Sequence, residues 1–111
     1  MKIKGQALLL RIFIGEKDKA EGKPLYKKIV EILKDNDIAG ATVIRGILGY
    51  GASSRIHSAS ILAISEDLPI VIEAVDREEK INKVIPEIEP FIKNGLITLE
   101  KVNVIKYSTS S

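Results

Sequence analysis

Residues 7–14 read Ala-Leu-Leu-Leu-Arg-Ile-Phe-Ile, and this stretch decides the fold. In an extended chain, successive side chains point to opposite faces, so the two alternating sets can be read separately. One set is Leu8, Leu10, Ile12 and Ile14, and the other is Ala7, Leu9, Arg11 and Phe13. Because both sets are almost entirely apolar, the pattern predicts a central strand of a sheet with two faces to cover.

The chain that follows predicts a helix and then a second strand. Pro24 suits the first turn of a helix, and its apolar stripe is Leu25, Ile29, Ile32 and Leu33. This helix is expected to end within residues 35–40. The β-branched run Ala41 to Leu48 then predicts a second strand.

The second half of the chain repeats the order strand, helix, strand. Ile70 to Val75 predicts the third strand. Asp76 and Glu79 form an Asp-x-x-Glu capping box, which predicts a second helix from near Arg77, with a kink or break at Pro86. A final strand is expected over residues 96–106, ahead of a polar tail at 108–111.

The order βαββαβ predicts an α+β fold of the ferredoxin-like type, with a four-stranded antiparallel sheet and two helices on one face. Residues 1–111 are expected to form one domain. Two helices cover only one face of the sheet, so the apolar residues of the other face predict self-association in a closed ring.

The composition of the chain limits the classes of protein to which it can belong. With 45% hydrophobic and 29% charged residues, the chain is expected to be soluble and globular. The 17 basic residues are interspersed with 15 acidic ones, and strands one and three lack exposed aromatics, so no nucleic-acid partner is expected. The absence of cysteine and of a signal segment predicts a cytoplasmic location. Thirteen lysines against four asparagines resemble a thermophile composition.

Neither catalysis nor metal binding is predicted. His57 is the only histidine, so a metal site would need several carboxylates or another subunit to complete it. The serines near it have no nucleophile-elbow context, and an enzyme or a cofactor is not expected. Glu73 is costly inside an apolar strand, which predicts either a polar edge or an ion pair with Arg11, Arg45 or Lys93.

Several short motifs resemble the nitrogen-regulatory PII proteins in order and spacing. They are Gly40-Ala41-Thr42-Val43, Gly49-Tyr50-Gly51, His57, Leu68-Pro69 and Ile72-Glu73. A closer resemblance is to an uncharacterised PII-like family, the domain of unknown function one-ninety. It is carried by Gly49-Tyr50-Gly51, the run from Leu68 to Glu73 with Val75-Asp76, and Gly95-Leu96-Ile97-Thr98. This resemblance spans nearly the whole chain.

The resemblance implies a homotrimer with ligand clefts between subunits, each closed by the loop after strand two. It also implies binding of adenine nucleotides or other small effectors, followed by docking onto a transporter or an enzyme. The candidate ligand contacts are Arg45, Gly49, Gly51, Arg55, Lys93, Gly95 and Lys106. The loop over residues 49–60 is the expected moving, regulatory segment, with Tyr50, Ser53, Ser54 and His57 as its candidate residues.

Two departures from the PII pattern refine the expected ligand. The segment before the last strand shrinks to Lys93-Asn94-Gly95, and Lys106 followed by Ser108 stands where PII has two arginines. Fewer phosphate donors predict a mono- or diphosphate rather than ATP. The leading hypothesis is a trimeric, non-enzymatic sensor of an anionic small molecule. The alternative is a stable structural trimer that resembles the copper-tolerance relatives of PII and has no nucleotide response.

Overall fold

The computed structural model describes residues 4–51, 57–58 and 68–109. Its main elements are β1 (Gly5–Gly15), α1 (Leu25–Asp35), β2 (Ala41–Arg45), β3 (Pro69–Asp76), α2 (Glu78–Ile88) and β4 (Leu96–Val104). A 3₁₀ turn, Glu89–Phe91, follows α2. Two short ladders join Lys19–Ala20 to Lys23–Pro24 and Leu48–Gly49 to His57–Ser58. No helix in the described ranges is long and apolar enough to cross a membrane.

The four long strands form one antiparallel sheet in the order β2-β3-β1-β4. The position of β1 between β3 and β4 confirms the prediction that residues 7–14 form a central strand. In the register, Leu9 lies opposite Val75 on one side and Glu100 on the other. This order, with two helices, is the ferredoxin-like α+β fold that the element pattern predicts.

The core lies between the two helices and one face of the sheet. Its largest fully buried apolar side chains are Leu10, Ile12, Ile29, Leu33, Ile72, Ile81, Val84 and Ile88. The alternating positions of β1 and β3 and the stripes of both helices supply this set, as the 2.0 and 3.6 residue periods predict. The opposite face carries Leu9, Phe13, Val71 and Val75, which are only half-buried in the single chain. We call this surface the open face.

The start of α2 differs from the capping-box prediction. Arg77 is the N-cap residue, and no side chain caps the helix. The carboxylate of Asp76 is fully buried and accepts a hydrogen bond from the backbone N–H of Ala39 instead. The tertiary contact to Ala39 therefore prevails over the local Asp-x-x-Glu pattern.

Of the kink or break predicted at Pro86, the break is wrong, because α2 runs through this residue and ends at Ile88. A proline removes one backbone hydrogen bond, but it need not end a helix that is held by packing. Val84 and Ile88, on either side of Pro86, are buried against the sheet. Packing on both sides of the proline keeps the helical path.

Strand β2 ends at Arg45, three residues earlier than predicted. Beyond it, the N–H of Gly46 donates to the Pro69 carbonyl at 2.7 Å, and a Cβ on Gly46 would lie 2.7 Å from Pro69 Cγ. Pro69 has no N–H with which to extend the ladder. The next pairing, between Leu48–Gly49 and His57–Ser58, belongs to a separate two-stranded sheet.

The final strand also ends earlier than predicted, at Val104 rather than residue 106. Of the loop predicted to move, residues 52–56 and 59–60 lie outside the described residues. Ser53, Ser54 and Arg55 fall there, so their predicted roles stay predictions. The tail residues 110–111 also lie outside the described part of the chain.

Candidate functional site

A groove of about 740 Å³ opens at the end of the sheet where β3 and β4 finish and β2 begins. Leu9, Glu73 and Val75 contribute to it from the central strands. One wall is the turn into β2, residues 39–42, and the other is the chain after β4, residues 104–107. The groove is therefore assembled from four segments that are far apart in sequence.

The second wall is a short strap that crosses the end of the sheet. It leaves β4 at one edge, and the hydroxyl of Tyr107 donates to the carbonyl of Ala39, 2.9 Å away, next to the opposite edge strand. Ile105 within it is 78% exposed. We refer to residues 105–109 as the C-terminal strap.

The turn that receives Tyr107 is held from inside the protein. Asp76 accepts hydrogen bonds from the N–H of Ala39 at 2.9 Å and from the N–H of Arg77 at 2.7 Å. Lys80 Nζ lies 3.5 Å from the same carboxylate and also donates to the carbonyl of Asp37. The peptide groups of Ala39 are thus bonded on two sides, its N–H to Asp76 and its C=O to Tyr107.

Glu73 lines the groove and forms the ion pair that its strand position predicts. Arg11 Nε lies 2.8 Å from one Glu73 carboxylate oxygen, and its Nη1 lies 3.2 Å from Glu100. The hydrogen bond with Glu73 is the largest cause that raises the pKa of Arg11 above its ordinary value. Because the side chains of Arg11 and Glu73 are 38% and 33% exposed, water screens this pair and its contribution to stability in the single chain is small.

The groove offers the chemistry of a binding site. Leu9 and Val75 provide apolar surface, Thr42 provides a hydroxyl, and Lys106 provides a positive charge that makes no salt bridge within the described residues. No group of three metal-ligating side chains occurs in the part of the chain that the structure describes. This combination suits a flat, partly apolar molecule that carries a negative charge.

The predicted cationic contacts do not converge within one chain. Lys106 lines the groove, whereas Arg45 lies at the opposite end of the sheet, where Glu16 pairs with it at 2.5 Å. Lys93 lies at the same end as Arg45 but ahead of β4, on the other edge. Convergence of these side chains from neighbouring chains stays a prediction.

The predicted glycines have distinct positions. A Cβ on Gly95 would lie 2.5 Å from the Phe13 carbonyl oxygen, so the close approach of two backbones requires glycine there. Gly49 pairs with His57 in the short ladder, and Gly51 is exposed. Tyr50, between these glycines, is 72% exposed. None of these residues lines the groove.

Of the residues that line the groove, the sequence analysis named only Lys106 as a ligand contact, and it missed among others Leu9, Thr42, Val75 and Tyr107. The first three read as ordinary strand positions. Tyr107 carried the clearest unused signal, because it is a lone aromatic residue at the start of a polar tail. An aromatic residue with a hydroxyl often packs its ring while its oxygen finds a partner.

Comparisons with known proteins identify the family. The family model DUF190, described as an uncharacterized ACR, matches residues 7–104. A UPF0166 protein of Aquifex aeolicus is 46% identical over 97 residues, which cover 87% of this chain and 91% of that protein. A UPF0166 protein of Methanocaldococcus jannaschii is 45% identical over 105 residues, covering 94% and 96%. Neither relative carries the name of an enzyme.

Solved structures show the same fold at low sequence identity. CPII of Thiomonas intermedia K12, in a structure bound to ADP and bicarbonate, superposes with a TM-score of 0.68 and 18% identity, covering 89% of this chain and 88% of that one. Its apo form, described as a nitrogen regulatory PII-like protein, gives a TM-score of 0.63 at 15% identity, covering 97% and 100%. The chain described here therefore belongs to the DUF190 family and has the fold of the PII-like proteins.

Proposed function

We propose that the protein is a non-enzymatic sensor that binds an anionic small molecule, an adenine nucleotide such as ADP, in the groove at the end of the sheet. The observation that carries this proposal is the groove itself, with its apolar surface, the hydroxyl of Thr42 and the charge of Lys106, which makes no salt bridge within the described residues. Binding is then communicated to a partner protein, a transporter or an enzyme. The CPII structure bound to ADP supports the choice of nucleotide.

The size and lining of the groove support a ligand of nucleotide size. Small-molecule sites commonly have volumes of about 300–1,000 Å³ and are mostly apolar with a few polar groups. Leu9 and Val75 can contact the faces of a planar base, and Thr42 can donate or accept one hydrogen bond. Lys106 on the strap can meet a phosphate as a point charge.

Assembly as a homotrimer is part of the proposal. Among the described residues no helix covers the open face, where Phe13 and Val71 lie half-exposed outside the groove. Packing of these faces would remove that apolar surface from water. It would also bring cationic residues of a neighbouring chain, such as Arg45 and Lys93, toward the groove.

Isothermal titration calorimetry with AMP, ADP, ATP and bicarbonate tests the binding proposal directly. Lys106→Ala should weaken ADP binding by about tenfold or more, because a hydrogen bond to a charged group contributes about 1.5–3 kcal/mol. Lys83→Ala is the matched control, since Lys83 is exposed on α2 and does not line the groove. If none of the four compounds gives heat with an intact, folded assembly, the nucleotide-sensor proposal is wrong.

A structural trimer without ligand response is the second candidate, and the ion pair that Glu73 forms with Arg11 favours it. This groove carboxylate is already paired with Arg11, which also meets Glu100 on the open face. Such a network of ion pairs can fix the relative position of two neighbouring chains. Sedimentation and a thermal-shift panel separate the candidates, because both predict a trimer but only the sensor is stabilised by a specific ligand.

A further inference from the structure

We propose that the Tyr107 hydroxyl is a latch that holds the C-terminal strap as a removable wall of the groove, and that ligands enter and leave when this latch is open. The proposal adds control of access to the proposed binding function. The latch itself exists without a ligand, so it can be tested in the free protein.

Few hydrogen bonds and little burial hold the strap in place. The bond from Tyr107 to the Ala39 carbonyl is 2.9 Å long. Among the described residues, no other hydrogen bond or salt bridge involves residues 105–109. Ile105 contributes almost no burial, since it is 78% exposed. Segments with few buried contacts and few hydrogen bonds open at low free-energy cost.

The other side of the latch is fixed. Ala39 is bonded through its N–H to Asp76, whose carboxylate is fully buried at the end of β3. Lys80, on α2, donates to the carbonyl of Asp37 in the same turn. The acceptor of the Tyr107 hydroxyl is therefore anchored to the core, so breaking the latch moves the strap and leaves the turn in place.

Opening the latch changes both the shape and the charge of the groove. Lys106 precedes Tyr107 directly and lines the groove with it. Release of Tyr107 therefore withdraws one wall and the groove's lysine together. A ligand whose negative charge contacts Lys106 binds the closed state better, and by linkage it shifts the strap toward closure.

Trypsin cleavage after Lys106 measures the open population, because that peptide bond lies inside the strap. When opening and closing are fast, the cleavage rate follows the equilibrium fraction of the open form. Mass spectrometry of the released peptide, residues 107–111, follows this site separately from other sites. Tyr107→Phe should raise the rate by about fivefold, the change expected from the net loss of one hydrogen bond.

Two controls make the result specific. Tyr50→Phe removes a hydroxyl from a tyrosine that is 72% exposed and makes no hydrogen bond within the described residues, so its rate should match the native rate. Cleavage after Lys101, within β4, reports unfolding of the sheet and should stay slow in both variants. If Tyr107→Phe is cleaved after Lys106 no faster than native protein, or if Lys101 is cleaved in step with Lys106, the latch is refuted.

Addition of ADP forms a separate arm of the experiment. Slower cleavage after Lys106 in the presence of ADP is expected and supports both the latch and the proposed ligand. If ADP gives no protection and no heat in calorimetry, ADP binding is wrong. The ligand-free comparison of Tyr107→Phe with native protein still decides the latch in that case.

Discussion

Replacing Asp76 by alanine tests the role that the structure gives this carboxylate. The substitution removes both hydrogen-bond acceptors at once and leaves the N–H groups of Ala39 and Arg77 without their partner. It also leaves Lys80 without the carboxylate that lies 3.5 Å from its ammonium group. The expected result is a large loss of stability from a residue that a capping-box interpretation would treat as a modest helix cap.

The expected loss of stability follows from the two N–H donors that lose their acceptor. Each buried N–H left unsatisfied costs about 1–3 kcal/mol, and both bonds here are partly buried, so we expect about 2–3 kcal/mol in the free energy of unfolding for Asp76→Ala. Asp76→Asn keeps one acceptor oxygen and should lose about half of that. Loss of an N-cap alone costs about 1 kcal/mol.

Urea denaturation followed by circular dichroism at a single protein concentration measures these differences, because self-association would make stability depend on concentration. Glu79→Ala is the matched control. Glu79 is exposed and makes no hydrogen bond within the described residues, so its removal should change stability by less than about 0.5 kcal/mol. A loss below about 1 kcal/mol for Asp76→Ala, or an equal loss for Glu79→Ala, would refute the reasoning.

Three further outcomes are expected. Gly95→Ala should destabilise the fold by about 1–3 kcal/mol in urea denaturation, because its Cβ would lie 2.5 Å from the Phe13 carbonyl oxygen; an unchanged midpoint would contradict this. A hydrogen bond from Lys28 lowers the pKa of Glu21, so this carboxylate stabilises the fold above its ordinary pKa of 4.5 and loses that effect as the pH falls. Glu21→Gln should therefore be less stable than native protein at pH 7 and equal to it near pH 3, and a difference that persists at pH 3 would exclude the charge as its cause. Because Arg11 pairs with Glu73 and Glu100 on the face that the proposed trimer would bury, Arg11→Met should weaken that assembly and lower its sedimentation coefficient, and an unchanged coefficient would place these pairs outside the interface.

The elements of the fold could be predicted because each has its own period in the sequence. The alternation around Leu10 and Ile12 places β1 at the centre, and the stripe through Ile29 and Leu33 gives α1 its buried face. These are local patterns, and burial of one face enforces them. The ion pair of Glu73 followed from the same logic, since a charge within an apolar strand requires a partner.

The groove could not be predicted in the same way. It joins positions from distant segments, and each of them, such as Leu9 or Thr42, looks like an ordinary strand residue in its own segment. The partner of Tyr107 is the backbone carbonyl of Ala39, and a carbonyl has no signature in the sequence. The local pattern indicates a helix cap at Asp76 and an interrupted helix at Pro86, but tertiary contacts determine the structure at both residues.

The hydrogen bond from Gly46 to Pro69 makes the four-stranded sheet complete before the chain enters the connection between β2 and β3. At its far end the connection is tied to the chain after β1, because the N–H of Glu16 donates to the carbonyl of Leu68 at 2.8 Å. The ladders that set the strand register of the four-stranded sheet within the described residues therefore lie outside residues 47–67. For protein engineering, a foreign peptide inserted between residues 46 and 68 should therefore leave the register of the four-stranded sheet intact, although it would replace the short ladder of Leu48–Gly49 with His57–Ser58.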